Sequence, residues 1–132
     1  MNNANPYFDL ISSSHQLIEQ WFSGRDTHPE VCEHLLRDFS PQYTMITLTG
    51  HALDYSALCQ FFRAQSAAKP ELTICLSEMT LIQESSQGAV VSYLEQQKMP
   101  NQPLHRRLST AIFDKTTEGK VLWRHLHETL AG

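Results

Sequence analysis

The residues best suited to chemistry sit at alternating positions in the last third of the chain. Tyr93, Glu95 and Gln97 occupy every second position of one stretch. Arg107, Ser109, Ala111 and Phe113 do so in the next, and Trp123, His125, His127 and Thr129 in a third. In an extended strand every second side chain shares a face. If the three faces line one hollow, Glu95, Arg107, His125 and His127 converge on it. A glutamate held there can act as general base, its pKa raised by burial or lowered by Arg107, while a histidine completes proton transfer near neutral pH. The candidate catalytic residues are thus Glu95, His125 and His127; the candidate ligand contacts are Tyr93, Glu95, Arg107, Trp123 and His125. Two plainer roles stay open beside catalysis: Glu95 and Arg107 as an ion pair joining neighbouring strands, or the same residues as ligand anchors without chemistry.

Other signals are weaker. His125-x-His127 is a spacing that can support a metal, but no H-E-x-x-H motif, cysteine cluster or carboxylate array completes a site, and a third ligand would have to be borrowed from Glu95 or His105. No metal site is expected. Cys32, Cys59 and Cys75 are an odd set without a C-x-x-C pair, so neither a disulfide framework nor a zinc knuckle is indicated. Cys59 and Cys75 read as inert interior residues, and Cys32 has no evident basic partner to activate it. The five glycines fall between periodic segments or at the end; none belongs to G-x-G-x-x-G, a P-loop or G-x-S-x-G. No cofactor motif is present, and none is expected. Trp21, Phe61 and Phe62 lie on helical faces, where aromatics serve as core. His28, His34 and His51 fall near helix ends or turns and read as surface residues.

The whole chain sets the bounds. It has 132 residues, 41% of them hydrophobic, a formal charge of −4 and a pI near 5.9. That length suits one domain with one core. The acidic balance gives no footprint for nucleic acid. No apolar run reaches the roughly 18–20 residues that span a bilayer, and Met-Asn-Asn-Ala-Asn-Pro at the start lacks the pattern of a secretory signal. A soluble, cytoplasmic, single-domain protein spanning 1–132, with no nucleic-acid or membrane partner, is expected. Charge is uneven along it: residues 1–97 hold four Lys/Arg against eleven Asp/Glu, and residues 98–132 hold six against three. Cross-strand ion pairing accounts for such an imbalance; a basic ligand-facing patch is the sharper alternative.

The positioning elements follow from periodicity. Leu10, Ile11, Leu17, Ile18, Trp21 and Phe22 recur at helical spacing, giving an amphipathic helix of about four turns that ends near Gly24. Thr27-His28-Pro29-Glu30 reads as a capping box that opens a short helix burying Val31, Leu35 and Leu36. Residues 43–48 read as a strand, Thr49-Gly50-His51 as a turn, and Asp54 as the cap of a third helix carrying Leu58, Phe61 and Phe62. From there the period changes to two over 72–83, 89–98, 104–114 and 121–129, with short connectors that favour antiparallel neighbours. Helices in front and long strands behind predict an α+β fold. Strands of that length twist, so a four-stranded meander should curl around the first helix as a cone and leave a cavity for a ligand.

This order of elements, together with particular residues, resembles the nuclear transport factor 2-like (cystatin-like) superfamily, which includes the SnoaL-like proteins. Leu36-Arg37-Asp38-Phe39-Ser40-Pro41-Gln42-Tyr43-Thr44-Met45-Ile46, then Thr49-Gly50 and a helix from Asp54, looks like that superfamily's first strand and turn. The run from Gly119 through Trp123 to His127 looks like its final strand. Ala89-Val90-Val91-Ser92-Tyr93-Leu94-Glu95 is similar to the middle strand of the association domain of calmodulin-dependent kinase II, in which the position matching Glu95 is basic. The resemblance covers about residues 7–130. It implies a cone-shaped pocket and a homodimer formed through the outer sheet face. It also implies one of several functions: binding of a small, partly apolar molecule, proton-transfer catalysis of isomerase, cyclase or dehydratase type, or assembly. The residue sets of ketosteroid isomerases and limonene-type epoxide hydrolases are not assembled by these spacings, so fold alone does not choose among them.

Overall fold

In a computed structural model that describes residues 5–132, three helices pack against one six-stranded sheet. The stretch Met1 to Ala4, part of the leader reading above, lies outside the described residues. The first helix, α1 (Pro6–Ser23), starts where Asn5 Oδ1 accepts hydrogen bonds from the backbone N–H groups of Tyr7 and Phe8, at 2.9 and 3.1 Å, with Pro6 in the first turn. It stops at Gly24, whose φ of 82° and approach to Ala67 leave no room for a side chain. Its buried stripe is Ile11, Ser14, His15 and Phe22, at the spacing of one helical face.

The second helix, α2 (Pro29–Arg37), departs from the expected capping box. His28 is the N-cap, and its Nδ1 accepts from the Glu30 N–H at 3.2 Å. Pro29 accounts for the shift: its fixed φ suits the first helical position, which leaves the residue before it as cap. The first strand, β1 (Phe39–Ile46), turns into β2 (Ala52–Asp54), three residues that alternation alone did not separate from the turn. Asp54 caps α3 (Tyr55–Arg63) as expected, accepting from Ala57 N–H at 2.9 Å.

The remaining strands are β3 (Thr73–Ser85), β4 (Gly88–Lys98), β5 (His105–Lys115) and β6 (Val121–Leu130). They form the expected antiparallel meander, but the sheet is larger than that meander. Its order is β2-β1-β6-β5-β4-β3, because β1 pairs with β6 in parallel. The sheet is mixed, remains unclosed, and wraps the long first helix as an α+β cone. Gly88 starts β4 where a Cβ would lie 1.9 Å from the Phe113 carbonyl oxygen, so only glycine allows this approach. The edge strand β3 is bulged twice, between Ser77 and Thr80 and between Leu81 and Gln83. Between sheet and helices lies the core, with Tyr7, Ile11, Leu35, Tyr43, Tyr93, Phe113 and Trp123 almost fully enclosed. Cys32 and Cys59 are buried. Cys75 is exposed, contrary to expectation, because its inward neighbours on β3 are Ile74 and Leu76.

One further bulge decides where the candidate site residues go. On β6, Trp123 pairs with Phe113 and His125 with Ile112, so Arg124 has no partner on β5. The extra residue inverts the alternation beyond it. Trp123, Leu126 and Glu128 therefore point inward, and His125 and His127 point to the outer face.

Candidate functional site

A cavity of about 330 Å³ opens between α1, α3 and the inner sheet face. Its walls are mostly apolar, from Ile18 and Phe22 on α1, Phe39 and Met45 on β1, Leu58, Phe61 and Phe62 on α3, and Trp123 and Leu126 on β6. At one end the lining turns polar, with His15, Lys69, Glu95, Gln97, Arg107 and Glu128.

Glu95 is the most enclosed of these charges, with 3% of its surface exposed. Its Oε1 lies 3.2 Å from His15 Nε2, and its Oε2 accepts from Gln97 Nε2 at 2.6 Å. His15 Nδ1 lies 2.7 Å from the Ile11 carbonyl oxygen, which can only accept. A histidine facing a carbonyl through one nitrogen and a carboxylate through the other donates from both, and only the imidazolium has two N–H donors. The pair is therefore an ion pair. Burial alone would lower the His15 pKa, but the charge and hydrogen bond of Glu95, helped by the Ile11 carbonyl, raise it. Burial works to raise Glu95, and His15, Arg107 and Gln97 together bring it down to about 2. The His15 ring also sits edge-on to Tyr93 and Trp123, with centroids 5.6 and 6.1 Å away.

The second ionic group is Arg107 with Glu128. Arg107 Nη1 donates to Glu128 Oε1 at 3.1 Å, and Nε donates to His105 Nε2 at 3.0 Å, which fixes the His105 proton on Nδ1. Glu128 is 6% exposed, and its pKa is raised, first by burial and then by the nearby Glu95 charge, against the pull of Arg107. Lys69 reaches the same cavity from the segment after α3, with its Nζ 5.9 Å from the centroid of the Phe22 ring. Burial and the Arg107 charge lower its pKa.

A nuclear transport factor 2-like protein of unknown function from Pseudomonas aeruginosa is 30% identical to this chain, covers 97% of it and 100% of its own length, and superposes with a TM-score of 0.91. The chain belongs to the nuclear transport factor 2-like superfamily. Two more distant structures share the fold. A nuclear transport factor 2-like protein from Cytophaga hutchinsonii is 13% identical with a TM-score of 0.75, over 99% of this chain and 100% of that one. The CaMKII hub homology domain from Chlamydomonas reinhardtii is 18% identical with a TM-score of 0.68, over 97% and 100%. No protein-family model matches the chain, and no curated protein does.

Within this nuclear transport factor 2-like fold, Glu95, Arg107 and Trp123 do meet at one cavity. Glu95 and Arg107 are cross-strand neighbours, yet each takes a different ionic partner. Tyr93 is buried beside His15 rather than on the cavity wall, and Trp123 donates its indole N–H to Ser14 Oγ at 2.9 Å. His125 and His127 are not brought in: His125 Nδ1 is 2.7 Å from Thr44 Oγ1 on the outer face, and His127 is exposed. Burial, His127 and Arg124 lower the His125 pKa. Sequence reasoning missed His15, Lys69 and Glu128. His15 had a readable signal, since it falls four residues after Ile11 and three before Ile18 on the buried stripe. Among the described residues no group of three or more His, Cys, Asp or Glu is arranged for a metal ion, and no helix is long and apolar enough to cross a membrane.

Proposed function

We propose that this protein binds a small, largely apolar molecule in the cavity, its polar end meeting Glu95, Arg107 and their partners. The supporting observation is that apolar walls enclose about 330 Å³ around a few convergent charged groups, the composition of small-molecule sites in general. Native mass spectrometry of the purified protein tests it. A co-purifying small molecule is expected, and it should disappear in Met45→Trp, which fills the cavity from β1. A protein that carries no molecule and leaves ligand libraries unbound contradicts this reading. The whole chain is proposed as one such domain. A cytoplasmic setting goes with it, in keeping with three cysteines that are all free thiols.

A second reading is proton-transfer catalysis, of isomerase, cyclase or dehydratase type. It is favoured by the opposite pKa displacement of two carboxylates at one cavity, Glu95 downward and Glu128 upward. A carboxylate held near 2 is a weak base at neutral pH. In this reading Glu128 exchanges the proton, Glu95 orients His15, and neither His125 nor His127 takes part. A third reading, self-assembly, is supported by the outer sheet face, where Leu108 and Ile112 are 47% and 39% exposed. A homodimer through that face is compatible with ligand binding on the other.

A further inference from the structure

At the polar end of the cavity, Arg107 and Lys69 keep donor groups that have no hydrogen bond among the described residues. Both Glu95 oxygens are engaged, by His15 and Gln97, and Glu128 Oε1 by Arg107. Arg107 uses Nε and Nη1, which leaves the two N–H groups of Nη2 without a hydrogen bond among the described residues. Lys69 lines the same cavity, and among the described residues its Nζ has neither an ion pair nor a hydrogen bond. With His15 charged, three cations (His15, Lys69 and Arg107) face two carboxylates. Burial first, and then the Arg107 charge, lower the Lys69 pKa. Among the described residues, Glu128 Oε2 is the remaining carboxylate oxygen of this group without a partner. Burial and the Glu95 charge raise the Glu128 pKa against the pull of Arg107.

We propose that the cavity takes a monocarboxylate with an apolar ring body, its carboxylate received between Lys69 Nζ and the free edge of Arg107 and its ring seated among Phe22, Phe39, Phe62 and Trp123. This rests on the small-molecule reading above and adds the ligand's charge and shape. An organic ammonium is disfavoured, because both glutamates already have cationic partners. A neutral hydroxyl accepts weaker hydrogen bonds from these cationic donors than a carboxylate does, so it binds less tightly.

Isothermal titration calorimetry on the intact chain at pH 7 tests this with 2-naphthoate, 2-naphthalenemethanol and 2-naphthylmethylammonium. The carboxylate is expected to bind at least about tenfold more tightly than the alcohol, as a charge-assisted hydrogen bond allows. Lys69→Met should bring the two within about twofold of each other, and Lys69→Arg should keep the preference. The alcohol binding as well as the acid, or the ammonium binding best, overturns the carboxylate assignment and leaves the cavity a binding site. A preference that survives Lys69→Met overturns the role of Lys69. If none of the three binds, the proposal fails. If no molecule co-purifies either, the small-molecule reading fails with it.

Discussion

His15 and Glu95 are a buried ion pair, and removing one member leaves the other charged and enclosed. His15→Leu is expected to cost about 3 kcal/mol or more, while the double replacement His15→Leu/Glu95→Leu should cost clearly less than the two single ones combined. Urea unfolding of the four proteins measures that coupling; additive losses contradict the pairing. The pH dependence has a definite direction. Glu95 is depressed in the folded state, so its share of stability is complete above its ordinary 4.5 and lost as pH falls toward 2. His15 is raised, so its share is complete below its ordinary 6.5 and lost as pH rises through its folded pKa. The stability gap between the native chain and His15→Leu should therefore be widest between about pH 4.5 and 6.5 and narrow on either side. Thermal melts across pH 3–9 read it directly. His15 was legible as a position on a buried helical stripe, but its partner was not. Which carboxylate meets it depends on the contact of α1 with β4, eighty residues away in sequence, and periodicity carries no information about such contacts.

At the scale of elements, the helices and the four long strands were readable because each repeats its pattern over many residues. What escaped was short or irregular. β2 has three residues, too few for a period to appear, and the partnership of β1 with β6 is a parallel contact between chain segments far apart. The bulge at Arg124 mattered most. Strict alternation from Trp123 puts His125 and His127 inside; the observed inward set is Trp123, Leu126 and Glu128. A trace of this was present, since the two apolar residues Trp123 and Leu126 stand three apart instead of two. Deleting Arg124 removes the extra residue and drives Leu126 and Glu128 outward, or else tears β6 from its neighbours. Loss of cooperative unfolding is expected on circular dichroism, whereas Arg124→Ala, which keeps the residue count, should stay within about 1 kcal/mol of the native chain. Equal behaviour of the two variants would mean that the bulge does not set the register.

For the molecule as a whole, the two sheet faces divide the work. The inner face carries the core and the cavity; along β5 the outer face presents Leu108 and Ile112 with Thr110 between them, and charged Arg106 and Asp114 toward the strand ends. Leu108→Glu should convert the expected dimer to a monomer in light scattering without lowering the thermal midpoint of the monomer unit by more than a few degrees. An unchanged mass would remove this face from assembly. The superfamily was legible from the order of elements and a few residues because that order is what defines the cone. The site was legible only in part, since Glu95 and Arg107 keep the simple alternation and Glu128 does not.

The double irregularity of β3 bears on how the protein behaves at high concentration. As the last strand of an open sheet, β3 exposes backbone groups along its length, next to Leu81 and Ile82 at 38% and 57% exposure. A flat strand of that kind recruits foreign strands and seeds fibrils. Here the two kinks interrupt the row, and Glu19 from α1 accepts the Ile74 N–H at 2.6 Å, so one of its docking points is already taken. The same departures from regularity that make this edge hard to foresee leave a foreign strand fewer places to pair along it.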